Sequence, residues 1–223
     1  MMSATPSTTD LPRLKRAFAA SATFALLLWL IKIAEVTFGW DFVGYGIYPG
    51  DIGHLSGILT APLIHGSWSH LLTNTPPVLV LGTALLFGYP RAARRFLPLL
   101  YLGTGLAVWL TARPAFHIGA SGLTFGCMFF VFTLGVARWE PRAIALALVA
   151  FLLYGGMVAG LVPSVAGISF ETHIAGAVVG IGAALLLKSR DPAEPRKRYS
   201  WEDSANPEDA EWDDLFPPPE SEK

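Results

Sequence analysis

Apolar residues in this chain fall into blocks rather than alternating with polar ones. Six blocks can be marked, over 17–36, 68–88, 96–112, 120–137, 143–161 and 171–188. Each is close to the ~20 residues a helix needs to cross the hydrocarbon of a bilayer. The pattern predicts an all-α, polytopic membrane protein: a bundle of six transmembrane helices over 17–188, preceded by a polar segment over 1–16. Residues 39–67 form a long first loop rich in glycine, aromatic and apolar residues, which predicts a structure lying at the membrane surface. Pro76 and Pro77 fall inside the second block and predict a local kink there. Residues 189–223 are acidic and Pro-rich, lack apolar periodicity, and read as a disordered tail. Within that tail Trp212, Leu215 and Phe216 among acids resemble a docking motif, but the composition favours a solvated tail.

Composition strengthens the membrane reading. The chain is 52% hydrophobic and 15% charged with mean hydropathy +0.47, whereas a soluble domain usually carries about 25% charged residues. The net charge of −1 decides nothing about nucleic acid, and no nucleic-acid partner is expected. Nine of the 17 acidic residues lie between Glu202 and Glu222, so the remainder is net basic. Those basic residues are sided. Arg13, Lys15 and Arg16 precede the first block, Arg91, Arg94 and Arg95 follow the second, and Arg138 and Arg142 separate the fourth and fifth. Lys188, Arg190, Arg196, Lys197 and Arg198 follow the sixth, while the opposite loops hold only Arg113, besides Lys32 near the end of the first block. By the positive-inside rule both termini are cytoplasmic. The first block lacks a small-residue cleavage site and reads as a spanning helix rather than a signal peptide. The single cysteine, Cys127, lies in an apolar run and reads as helix packing.

Polar groups in spanning helices are costly, so each needs a partner or a task. Three clusters fall at the same, non-cytoplasmic ends of their helices. The first enters the second block: His70 and Asn74 are i and i+4, on one face, and both can donate into a shared cavity; the alternative is a helix-entry histidine with an interhelical asparagine bond. His65, just upstream, reads as a brace for the loop or the helix start. The second is Gly119-Ala120-Ser121-Gly122. Ser121 sits where backbone N–H groups lack intrahelical partners and where the helix dipole favours negative charge; the alternative is an N-capping serine. The third is His173, Gly176 and Gly180, at i, i+3 and i+7 of the sixth block. With Gly119, Gly122 and Gly126 as a matching stripe, two small-residue seams permit close helix contact. That contact would bring His173 within reach of Ser121, the geometry of a nucleophile and its base; the alternative is plain helix packing. Neither a histidine–glutamate zinc motif nor a Cys/His cluster is present, so no metal and no cofactor is expected.

In this order, His70-x-x-x-Asn74, Gly119-x-Ser121-Gly122 and His173-x-x-Gly176-x-x-x-Gly180 resemble the rhomboid intramembrane serine proteases. The resemblance covers roughly residues 17–188. It implies Ser121 as nucleophile, His173 as general base, and His70 and Asn74 with the Ser121 N–H as oxyanion donors; His65 also matches a position typical of the family. Phe125 stands where family members commonly carry a tyrosine stacked on the histidine, and Thr172 where a small alanine is frequent. Glu171, two residues from His173, lies on another helix face and supplies no third carboxylate. The implied partners are the lipid bilayer and transmembrane protein substrates, and the implied location is a bacterial inner membrane. The sequence assigns no oligomeric state. Two rival classes are an inactive rhomboid-like protein that binds membrane clients, disfavoured by the retained Ser121 and His173, and a small transporter, disfavoured because the polar groups cluster at one depth.

Overall fold

Backbone N–H and C=O groups in hydrocarbon must be satisfied within the chain, so apolar blocks of this length fold as helices. The computed structural model describes residues 10–163 and 169–191. Its helices are α1 (Asp10–Phe38), α2 (Gly57–Thr60), α3 (Trp68–Gly88), α4 (Pro90–Thr111), α5 (Ser121–Arg138), α6 (Pro141–Tyr154) and α7 (Phe170–Leu187). A 3₁₀ stretch, Gly155–Leu161, continues α6. The all-α, polytopic expectation holds. Among the described residues, five helical stretches are long and apolar enough to cross a membrane: α1, α3, α5, α7, and α6 with its extension. The difference from six lies in α4. It has 22 residues, but Arg91, Arg94 and Arg95 crowd its first turns and lower its hydropathy. The apolar blocks also understate the helices, since α1 begins at Asp10 rather than near residue 17.

The ends of these helices have local causes. The Ser67 hydroxyl accepts the His70 N–H at 3.0 Å, which starts α3. Pro90 opens α4, whose free N–H groups are taken from far along the chain: the buried Asp191 carboxylate accepts from Arg91 (2.9 Å) and Ala92 (2.8 Å). The compact unit therefore continues to Asp191, just inside the segment read as tail. The rest of that segment, including Trp212, Leu215 and Phe216, lies outside the described residues. Within α3 the helix runs through Pro76 and Pro77, which remove the N–H partners of the Leu72 and Thr73 carbonyls.

α5 lies at the centre, packed against α7, α6 and α3. Phe96 of α4 stacks on Phe130 of α5 at 4.1 Å, in a buried cluster with Leu81, Leu85 and Leu134. In lipid the apolar core gains little from leaving the solvent, so close van der Waals packing and small residues carry the association. The α5–α7 contact shows this directly. A Cβ on Gly176 would sit 2.0 Å from the Gly122 carbonyl oxygen, and one on Gly180 would sit 2.4 Å from that of Gly126. The two predicted seams do meet, with one correction: Gly119 is not part of the α5 stripe. It precedes the helix with φ +108°, a left-handed conformation that suits glycine.

The loop between α1 and α3 carries exposed aromatic and aliphatic side chains, among them Trp40, Tyr45, Ile52 and Leu59. It is tied down at its root, where Lys32 and Glu35 form a buried ion pair at 2.8 Å and Glu35 also accepts the Phe42 N–H. The same loop reaches the segment ahead of α5, through paired backbone bonds between Ile47 and His117 and a 2.8 Å bond from the Gly119 N–H to the Ala61 carbonyl.

Candidate active site

Each polar cluster named from the sequence arrives at one end of the bundle on a different helix. Ser121 is the first residue of α5, and Ala120 before it makes no side-chain cap. The serine oxygen is thus not used to cap its own helix. It meets His173 instead: Ser121 Oγ and His173 Nε2 are 2.8 Å apart, across the glycine seam. His173 is buried, and its Nδ1 lies 2.8 Å from the Gly160 carbonyl oxygen. The Phe125 ring stacks on the imidazole at 4.1 Å and within 5° of parallel, so the loss of a tyrosine hydroxyl at this position leaves the stacking intact. Glu171, set aside on helix-face grounds, pairs with Arg113 at 3.2 Å.

The segment ahead of Ser121 is fixed from several sides. The His70 ring occupies the space a side chain at 119 would need, since a Cβ there would lie 2.7–2.8 Å from its Cε1 and Nε2. Asn74 is buried one turn below, and its amide donates to the His70 carbonyl at 2.8 Å. That bond uses one of its two N–H groups. His65 is nearly fully buried, its ring 5.0 Å from that of His70, and its Nε2 accepts the Ala120 N–H at 3.3 Å. It braces the residue next to Ser121 rather than the start of α3. His117 carries no motif or spacing that marks it in the sequence. Its ring bridges Ser169 Oγ (2.6 Å) and the Arg113 carbonyl (3.0 Å), and Ser169 in turn contacts Thr172 Oγ1 at 2.6 Å. This network joins the loop before α5 to the start of α7, just ahead of His173.

An apolar cleft of about 430 Å³ between α1, α3, α4 and α5 holds Cys127 but no nucleophile–base pair. Cys127 is buried in its wall, away from the polar cluster around Ser121.

The Rhomboid domain family matches residues 52–190. This chain belongs to the rhomboid family. Relatives of this rhomboid include uncharacterized proteins of Mycobacterium tuberculosis and Mycobacterium bovis, each 36% identical over 195 residues, covering 83% of this chain and 81% of theirs. A third, from Mycobacterium leprae, is 32% identical over 179 residues, covering 75% of this chain and 70% of its own. With its apolar spans, the rhomboid is an integral, multi-pass membrane protein.

His65 makes a testable contribution to the stability of this rhomboid. Burial, reinforced by the neighbouring His70, pulls its pKa down to about 4. In the unfolded chain an imidazole titrates near about 6.5, so the unfolded state binds the extra proton across that interval. Stability from keeping His65 neutral is complete above about pH 6.5, falls as pH drops through the interval, and is lost below about 4. The loss should be on the order of 3 kcal/mol. Thermal melting in detergent should show this slope in the wild type and a flatter one in His65→Ala; equal slopes would show that His65 is not the group responsible.

Proposed function

We propose that this rhomboid is an intramembrane serine endopeptidase that cuts transmembrane segments of membrane-anchored proteins with a Ser121–His173 dyad. The observation that carries the reading is the 2.8 Å approach of Ser121 Oγ to His173 Nε2, with the other imidazole nitrogen held on a backbone carbonyl. A serine hydroxyl at its free pKa is a poor nucleophile, and an adjacent base is what activates it. His173 Nε2 takes the Ser121 proton as Oγ bonds to the peptide carbonyl carbon, and the carbonyl oxygen becomes an oxyanion. The C–N bond then breaks, and His173 returns the proton to the departing amine. Water repeats the sequence on the Ser121 ester, its proton passing through His173 and its oxygen remaining on the new carboxylate.

The oxyanion donors in this reading are the Ser121 N–H, His70 and the free N–H of Asn74. Position supports the first, because the leading N–H groups of α5 lack intrahelical acceptors and the helix dipole favours negative charge there. Removing one preorganised donor typically costs about 10²–10³ in rate. With three donors sharing the charge, His70→Ala or Asn74→Ala should lower kcat by about 10²-fold without unfolding the protein. Wild-type turnover in the double substitution would reassign the pair to helix packing.

The test of the dyad is covalent. A fluorophosphonate probe should label the purified protein at Ser121, located by mass spectrometry of the modified peptide. Labelling should be lost in Ser121→Ala and nearly lost in His173→Ala. Equal labelling of the wild type and His173→Ala would remove the histidine from the mechanism.

The proposed substrates are membrane-anchored proteins whose helices unwind locally, and the proposed location is a bacterial inner membrane. Both termini are proposed to be cytoplasmic, which the siding of the basic residues supports: Arg13, Arg91, Arg138 and Arg142 lie away from the Ser121 end of the helices. A reporter fused after residue 190 should report the cytoplasm. A C-terminus outside the cell would reverse the orientation and put Ser121 in the wrong compartment.

A further inference from the structure

As the base, His173 must keep its proton on the nitrogen that faces away from Ser121. Imidazole has two tautomers, and only the one with a bare Nε2 can accept from Ser121; which one forms is set by the bond at the other nitrogen. A carboxylate at Nδ1 is the usual solution. The nearest carboxylate in sequence, Glu171, is engaged with Arg113 and does not take that role. The atom at Nδ1 is the Gly160 carbonyl oxygen, 2.8 Å away. A carbonyl only accepts, so Nδ1 must carry the proton and Nε2 is left bare toward Ser121.

Gly160 is also fitted to the ring by shape. It lies in the 3₁₀ stretch that extends α6. A Cβ at 160 would come within 3.1 Å of both His173 Nδ1 and Phe125 Cζ. The glycine backbone thus presses on the stacked Phe125–His173 pair from the side, where a side chain would displace it. The imidazole is held on its face by Phe125, at one nitrogen by Gly160 and at the other by Ser121.

We propose that Gly160 is the positioning residue of this site: its carbonyl, carried by the turn that ends α6, fixes the tautomer and orientation of His173 in place of a carboxylate. The inference rests on the proteolytic reading for its functional consequence, but not for its structural content. The carbonyl supplies orientation without a counter-charge, so its effect falls on turnover rather than on substrate affinity.

The experiment replaces Leu161 by its α-hydroxy acid, which turns the Gly160 carbonyl into the weaker acceptor of an ester and removes the Leu161 N–H while keeping every side chain. Cleavage kinetics, thermal melting and ¹⁵N spectra of histidine-labelled protein are then recorded, with the His173 signals assigned by difference from His173→Ala. In the wild type, His173 should show a protonated Nδ1 and a bare Nε2. In the ester variant the two tautomers should mix, with kcat about 10-fold lower or more, KM within about 2-fold, and melting lowered only by the loss of about one backbone hydrogen bond. Gly160→Ala, which keeps the carbonyl but crowds the ring, should also lower kcat and mix the tautomers. A wild-type His173 protonated at Nε2 overturns the proposal, and so does an ester variant with wild-type kcat, or one that loses kcat with its tautomer unchanged. If the ester variant fails to fold, the wild-type and Gly160→Ala spectra decide. The spectra read the tautomer even where no cleavage is seen, so failure of the proteolytic reading would be distinguished from failure of this one.

Discussion

Replacing Ser121 or His173 by alanine should each lower cleavage by at least about 10⁴-fold, and replacing both should cost no more than replacing one. Residues that act as one unit fail together, because neither a base without its nucleophile nor a serine without its base retains a partial function. In the proposed mechanism, the 2.8 Å contact between Ser121 Oγ and His173 Nε2 couples the two as such a unit. The substitutions should be structurally mild. Ser121→Ala removes one oxygen that is not used to cap α5. His173→Ala leaves the glycine seam beneath it unchanged. Steady-state cleavage of a helical substrate by the two single variants and the double variant, with melting measured alongside, reads the cycle. Additive losses would mean that the two residues act in separate steps.

The second large effect is structural. Gly176→Val should prevent α5 and α7 from seating, because the first added carbon would already lie 2.0 Å from the Gly122 carbonyl oxygen and the obstacle is backbone. Overpacking costs about 1–3 kcal/mol where side chains can yield. Here the helices themselves must part, so at least about 3 kcal/mol is expected, a fall in Tm on the order of 10 °C. Separation of the seam would also draw His173 from Ser121, so activity should fall with stability. Gly182→Ala in the same helix is the control. Nothing lies within 4 Å of a Cβ there, and alanine is favoured over glycine in a helix by about 0.5–1 kcal/mol. Melting of Gly176→Val as high as that of Gly182→Ala would show that the seam does not exclude a side chain at 176.

Much of this arrangement was legible in the sequence because its signals are local. Twenty-residue apolar blocks fix where helices run, and i, i+3, i+7 spacing placed Gly176 and Gly180 beneath His173 before any contact was known. Gly122 and Gly126 could be matched to them by the same spacing. What stayed hidden depends on contacts between distant segments. Gly160 acts through a backbone carbonyl, which every residue possesses, so the sequence carries no mark of its bond to His173. His117 joins three segments that are far apart in the chain, and its role appears only when Ile47, Ser169 and Arg113 are brought around it. Asp191 looked like part of an acidic tail, yet it caps a helix whose first residues lie about a hundred positions earlier. α4 shows the converse, where charge at one end of a helix lowers its hydropathy although its length suffices to span.

If this rhomboid hydrolyses a peptide bond with Ser121, the products can be read in a bilayer. The direct measurement is to reconstitute the purified protein in liposomes with a single-pass transmembrane substrate and follow the products by mass spectrometry, with Ser121→Ala alongside. Two complementary fragments, from a cut within or next to the substrate's membrane segment, are expected from the wild type and absent with Ser121→Ala. Equal fragment formation by both proteins, or none by a folded wild type across helical substrates, would contradict hydrolysis by Ser121.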